Sequence, residues 1–223
     1  MTNYKNILLH TIGFITIALG IANIISAKLG ASPIDAFNYF LYNITSNIIP
    51  SITLGTVIIF TGLFVTALTF MINKNKDMII SGIFLFVVGV FVDMWMFLIG
   101  YLPDAFMSLL IVRILMATIG MLLCALGVSI TILTGLPASP YERLMLVVYK
   151  RINNLSLSKI VVEGSFFILA VTLGLLTNRL FEQVHIFTIL MTFMIGIFVS
   201  MFTHILKDKI NKGEINHGIK QVY

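Results

Sequence analysis

Ala31-Ser32-Pro33-Ile34-Asp35 returns 107 residues later as Ala138-Ser139-Pro140-Tyr141-Glu142. Each stretch reads as a helix start. Serine is a favoured N-cap, and proline suits the first helical position because its missing N–H would have no partner there anyway. Asp35 and Glu142 then fall in the first turn, where the helix dipole favours negative charge. The helices after Pro33 and Pro140 are shorter and more polar than the runs around them. Whether they cross a membrane decides the topology of the whole chain.

That a membrane is present follows from composition. Of 223 residues, 59% are hydrophobic and only 10% charged, with a mean hydropathy of +1.05. Soluble domains run about 45–50% apolar and about 25% charged, and a chain this poor in charge cannot cover a water-facing surface. Disorder requires the opposite composition. The lone Cys124 excludes a disulfide framework and a cysteine metal site. The histidines never fall at ligand spacing, so no metal or cofactor is expected. The net charge of +5 sits in loops and a tail, where headgroups and topology account for it better than nucleic acid does.

Six stretches reach the roughly 20 residues a bilayer requires: 7–27, 52–72, 78–101, 107–134, 157–177 and 185–206. The first could be taken for a signal peptide, but its apolar run is long and it recurs later, so it is expected to belong to the fold. If the two Ser-Pro helices do not cross, the inner side carries Lys5, Lys74, Lys76, Arg143, Lys150, Arg151, Lys159, Lys207, Lys209, Lys212 and Lys220. The outer side then holds Lys28, Arg113 and Arg179, a ratio of 11 to 3. Letting both short helices cross moves Lys74, Lys76 and Arg143 out and Arg113 in, giving 9 to 5. The positive-inside rule selects six spans with both termini in the cytoplasm.

The 107-residue offset extends well beyond the Ser-Pro element. Thr11-Ile12-Gly13 falls on Thr118-Ile119-Gly120, Ala18-Leu19-Gly20 on Ala125-Leu126-Gly127, Tyr42 on Tyr149, and Gly89, Phe91, Val92 and Met94 on Gly196, Phe198, Val199 and Met201. Each copy holds three crossings, an odd number, so the second enters the membrane from the opposite side. The expected architecture is an all-α bundle of two inverted three-helix repeats, residues 1–101 and 107–206, with a basic cytoplasmic tail over 207–223. Glycines seven apart (Gly13 and Gly20, Gly120 and Gly127, Gly55 and Gly62, Gly82 and Gly89) predict close backbone packing.

The Ala-Leu-Gly pattern of the first span, Gly-Ala-Ser-Pro-x-Asp from Gly30 to Asp35, and Gly89-x-x-x-Asp93 resemble the YczE/YyaS/YitT-type bacterial membrane proteins. The resemblance runs from about Asn6 to Leu206, with Ser-Pro-x-acid its most specific part. An aromatic often follows the proline in that family. Ile34 stands there in the first copy, and Tyr141 fits the pattern in the second. The resemblance implies a bacterial cytoplasmic-membrane protein and little chemistry; transport is commonly supposed for the family, with no substrate named.

The residues that could handle a solute or ion are Ser32, Pro33, Asp35, Ser139, Pro140, Glu142 and Glu163. The Ser-Pro elements are either capped interfacial helices or half-helices whose capped ends meet a ligand inside the protein. Their acids favour a cation, although an anion could use the free N–H groups. Asp93 lies in an apolar run, and a charged residue there requires a partner. Arg113, at similar depth on the next span, is the expected one, forming a buried ion pair. Glu163 has Lys159 four residues before it on the same helix face. His10 and His204 are expected near the membrane interface.

No P-loop, nucleophile elbow or zinc motif is present, and no enzymatic activity is expected. An inverted repeat is the sequence signature of many secondary transporters, which makes small-solute transport the leading expectation. A non-transporting accessory or scaffold protein is the alternative. Another is a substrate-capturing subunit of a larger importer, whose first helix Ala18-x-x-x-Ala22 resembles. Expected partners are the lipid bilayer and a small solute or ion, with a second copy or another membrane protein as a further possibility.

Overall fold

The computed structural model describes residues 4–74, 77–137 and 139–212. Among them the chain is helical without strands, in the order α1 (Tyr4–Ala27), α2 (Pro33–Ile48), α3 (Leu54–Ile72), α4 (Asp77–Ile99), α5 (Asp104–Met107), α6 (Leu110–Leu133), α7 (Pro140–Ile152), α8 (Leu155–Leu176), α9 (Leu180–Gln183) and α10 (Ile186–Lys212). Helices α1, α3, α4, α6, α8 and α10 are long and apolar enough to cross a bilayer. They match the expected spans to within a few residues. The breaks near Pro103 and Arg179 are the single turns α5 and α9. The expected tail begins inside α10, and residues 213–223 lie outside the described residues, as do Asn75, Lys76 and Ala138.

The long helices are apolar on every face, and large side chains such as Phe60, Phe64, Phe97, Leu176 and Phe193 are exposed. This is the surface lipid solvates. With no water in a bilayer core, each crossing must satisfy its own backbone, which a helix does.

At the centre α1 packs against α6 with their backbones in near contact. A Cβ on Gly13 would meet the carbonyl oxygen of Gly127 at 3.0 Å, and one on Gly127 would meet that of Gly13 at 2.6 Å. Gly20 and Gly120 stand in the same relation, 2.7 Å each way. Small residues allow this approach, and dispersion contacts along the seam replace the hydrophobic drive that lipid cannot supply. The glycine pairs Gly13·Gly127 and Gly120·Gly20 are themselves 107 residues apart, helix for helix.

Helix α1 also packs on α4, and α6 on α10, so α1 lies between α4 and α6. On the flank α3 closes against α4, where a Cβ on Gly89 would meet the Gly55 carbonyl at 2.6 Å. The counterpart pair, α8 and α10, makes no comparable packing, and Gly196 has nothing within 4 Å of an added Cβ. The short helices fill the remaining space, α2 against α8 and α7 against both α8 and α3.

Candidate functional site

Helices α2 and α7 begin where the sequence marks them. Ser32 and Ser139 are the N-caps, Pro33 and Pro140 hold the first helical positions, and both prolines are buried. The two starts converge. Thr61, partway along α3, lies 2.7 Å from Oδ1 of Asn38 on α2 and 3.3 Å from the hydroxyl of Tyr141 on α7. Phe166, halfway along α8, takes Phe37 from α2 and Tyr141 from α7 edge-on, at ring separations of 5.5 and 5.4 Å. One threonine and one phenylalanine therefore touch both the first turn of α7 and the second turn of α2.

The acids at these starts are turned onto their own caps. The Ser32 hydroxyl donates to Oδ2 of Asp35 at 2.6 Å and accepts the Asp35 N–H at 3.2 Å. In α7 the arrangement is a full capping box: Oε2 of Glu142 accepts the Ser139 N–H at 3.1 Å, and Oγ of Ser139 accepts the Glu142 N–H at 3.3 Å. Burial pushes the Asp35 carboxyl up to about 6, with the Ser32 bond opposing the rise. Burial also raises Glu142, against the pull of the Ser139 bonds and the charges of Arg143 and Lys159. The Tyr141 hydroxyl is pushed up by burial and, further, by the charge of Asp35, while Thr61 and Asn38 lower it. The polar groups that meet at the junction are thus an amide and two hydroxyls, with the Asp35 carboxyl near enough to act on Tyr141.

Asp93 and Arg113 do not form the expected ion pair. Oδ1 of Asp93 accepts the Gly55 N–H at 2.7 Å, and Oδ2 accepts the Thr53 hydroxyl at 2.6 Å, so this carboxylate closes the N-terminus of α3. Nε of Arg113 donates to the Ala27 carbonyl at 2.6 Å, and its Nη2 to that of Lys28, closing the C-terminal end of α1. Two physical facts explain the correction. Helix α1 stands between the helices that carry the two residues. Each charge has also found a helix end of opposite partial charge with unpaired backbone groups.

Glu163 pairs with Lys159 at 3.6 Å, as its spacing predicts. His10, expected near the membrane interface, packs against the C-terminal end of α6. It is fully buried among the helices, 2.7 Å from the Thr134 hydroxyl through Nδ1, with its ring edge against Phe14 and Phe84. Its position three residues before Gly13 places it on the covered side of α1, which hydropathy alone did not reveal.

Several polar residues escaped the sequence reading. Asn38 and Thr61 sit singly among apolar neighbours and carry no motif. Gln183 is fully buried, its side-chain amide donating to the Ile25 carbonyl at 2.8 Å while its backbone carbonyl accepts from Ala31 N–H at 2.9 Å. Tyr39 donates to Glu182, which also lies 4.0 Å from Nζ of Lys28. Desolvation and the Glu182 carboxylate push the Tyr39 hydroxyl up to about 12. These contacts tie the α8–α10 connection to the α1–α2 connection at the bundle end opposite the termini.

Six apolar crossings, with two short helices that meet near their N-termini and carry half-buried carboxyls, define a polytopic helical membrane protein. Residues 4–204 match the family of unknown function DUF6198, and the chain belongs to that family. It is 28% identical over 140 residues to the uncharacterized membrane protein YczE of Bacillus subtilis (strain 168), a match covering 62% of this chain. The match spans about 60% of that relative's length. No solved structure matches the chain.

Proposed function

We propose that this chain is a secondary transporter of a small solute in the bacterial cytoplasmic membrane, built from two inverted three-span repeats, with its site where α2 and α7 begin. The observation that carries this reading is the meeting of α7's first turn and α2's second turn on Thr61 and Phe166. Discontinuous helices meeting near the midplane, between repeats of opposite topology, are the usual setting of a transporter site. The pairing of contacts supports the repeats: Arg113 to the Ala27 carbonyl has its counterpart, 107 residues earlier, in Asn6 to the Thr134 carbonyl at 3.5 Å. The distribution of basic residues supports cytoplasmic termini.

In this reading Asn38, Thr61 and Tyr141 contact the solute, and Ser32, Pro33, Ser139 and Pro140 hold the two helix starts. Asp35 and Glu142 exchange protons, since a half-buried carboxyl near 6 changes charge in the range a proton gradient covers. Glu163, beside its lysine partner, lies on the cytoplasmic approach. No bond in the solute is made or broken.

The test begins with thermal-shift screening of purified protein against metabolite pools, followed by uptake of each stabilising solute into proteoliposomes. Accumulation driven by an imposed pH gradient, without any partner protein, is the expected result. Binding that yields transport only with an ATPase complex would assign a capture subunit instead. Neither binding nor uptake would leave a scaffold role.

A further inference from the structure

We propose that the pocket lined by Lys28, Arg113 and Arg179 binds a phosphate group, either free or carried on a lipid headgroup. This site lies apart from the junction of α2 and α7 and does not depend on the transport reading.

The argument starts from charge placement. Lys28, Arg113 and Arg179 are the three basic residues assigned to the face opposite the termini, and all three line one cavity of about 280 Å3 between the α1–α2 and α8–α10 connections. A neighbouring cavity of about 550 Å3 shares Lys28 and Arg113 and extends along α1 and α4 to Met96 and Gly100. Three cations around one small space add their fields there and attract an anion into it.

The described residues supply little of that negative charge. Arg113 donates to the carbonyls of Ala27 and Lys28, and Nη1 of Arg179 donates to Oδ1 of Asn43 at 3.2 Å. All of these acceptors are neutral, and among the described residues neither arginine has a carboxylate within ion-pair distance. Asp104 lines the larger space, and Glu182 is the one acid lining the smaller cavity. It is held by Tyr39 and reaches Lys28 only at 4.0 Å, with the lysine side chain 53% exposed. A pair that long and that wet contributes little.

Neutral acceptors fix a guanidinium in place without cancelling its charge. The planar fork then presents its remaining donors to an oxyanion, and phosphate, multiply charged and rich in acceptors, matches two forks and an ammonium. The cavity volume suits a single such group with room beside it in the larger space.

The test uses the full chain purified in a neutral detergent, with unfolding followed by Trp95 fluorescence. Inorganic phosphate is titrated against sodium chloride of equal ionic strength. In parallel, the protein is placed in nanodiscs of phosphatidylcholine with or without phosphatidylglycerol. Occupancy at ten times Kd is expected to raise Tm by about 3–5 °C. Arg179→Gln and Lys28→Gln alter partly exposed side chains and are expected to keep the wild-type elution volume while losing at least half of the rise. A rise with inorganic phosphate assigns a soluble anion, and one with phosphatidylglycerol alone assigns a headgroup. No rise in either setting, or a rise unchanged in both variants, overturns the proposal.

Discussion

The guanidinium of Arg113 closes one helix end while the carboxylate of Asp93 closes another, and the two make no contact with each other. The charges are independent caps, and their energetics should follow. Asp93→Ala leaves the Gly55 N–H without an acceptor and turns the Thr53 hydroxyl to Thr56 alone, a loss of about 1–3 kcal/mol. Arg113→Ala strips the end of α1 at a similar cost. In a double-mutant cycle read by thermal unfolding, the two losses should add to within about 0.5 kcal/mol. Recovery of stability in the double variant would restore the ion pair the sequence suggested.

The glycine seam gives a sharper contrast. Gly120→Val places its side chain where even a Cβ would lie 2.7 Å from the Gly20 carbonyl and from Cγ1 of Ile24. Backbone cannot yield as a flexible side chain can, so the cost should be about 1–3 kcal/mol or more. Gly196→Ala meets nothing within 4 Å and should be neutral or stabilising by up to about 1 kcal/mol through helix propensity. The buried Cys124 becomes reactive on unfolding, so a thiol-reactive dye reports both outcomes.

What the sequence made legible divides along physical lines. Spans, caps and the Lys159–Glu163 pair depend on local pattern: hydropathy over a bilayer length, a serine before a proline, four-residue spacing on one helix. The repeat offset also exposed the matched glycines. Asp93 and Arg113 failed because their partners are backbone groups on helices that packing alone brings near. Asn38 and Thr61 were silent for a related reason, since a lone polar residue in an apolar run acquires meaning only when another helix supplies its counterpart.

Proton binding at Asp35 has a defined sign. Its carboxyl is raised from 3.8 to about 6 in the folded chain, so the folded state holds the proton more tightly than the unfolded state. Stability should then fall as pH rises from about 4 to about 6 and level off above that. Asp35→Asn removes the charge change and should flatten this part of the Tm-versus-pH curve, leaving the smaller contribution of Glu142. An identical slope in wild type and variant would place the titration elsewhere.

Tyr141→Phe deletes one hydroxyl from the junction while leaving Thr61 bound to Asn38. The ring contact with Phe166 persists, so Tm should move by no more than about 1 kcal/mol equivalent. If the solute sits between the helix starts, thermal stabilisation by that solute should drop at least fivefold in concentration response. An unchanged response would move the site away from Tyr141.

Orientation is open to direct labelling. On a Cys124→Ala background, cysteines at Lys74 and Asn211 should react with membrane-permeant reagents only, and one at Ser108 should react from outside intact cells. External reaction at Lys74 or Asn211 would reverse the charge argument.

The seam between α1 and α6 has a consequence for biogenesis. The ribosome releases α1 first, yet the surface that covers Gly13 and Gly20 arrives only after α2, α3, α4 and α5 have been made. During that interval the nascent chain exposes a glycine groove in the bilayer that any passing helix could occupy. An insertase or lipid chaperone that shields the groove until α6 emerges would raise yield. Splitting the gene so that α6 is supplied as a separate polypeptide should still give assembly, because the seam forms late and between segments distant in translation.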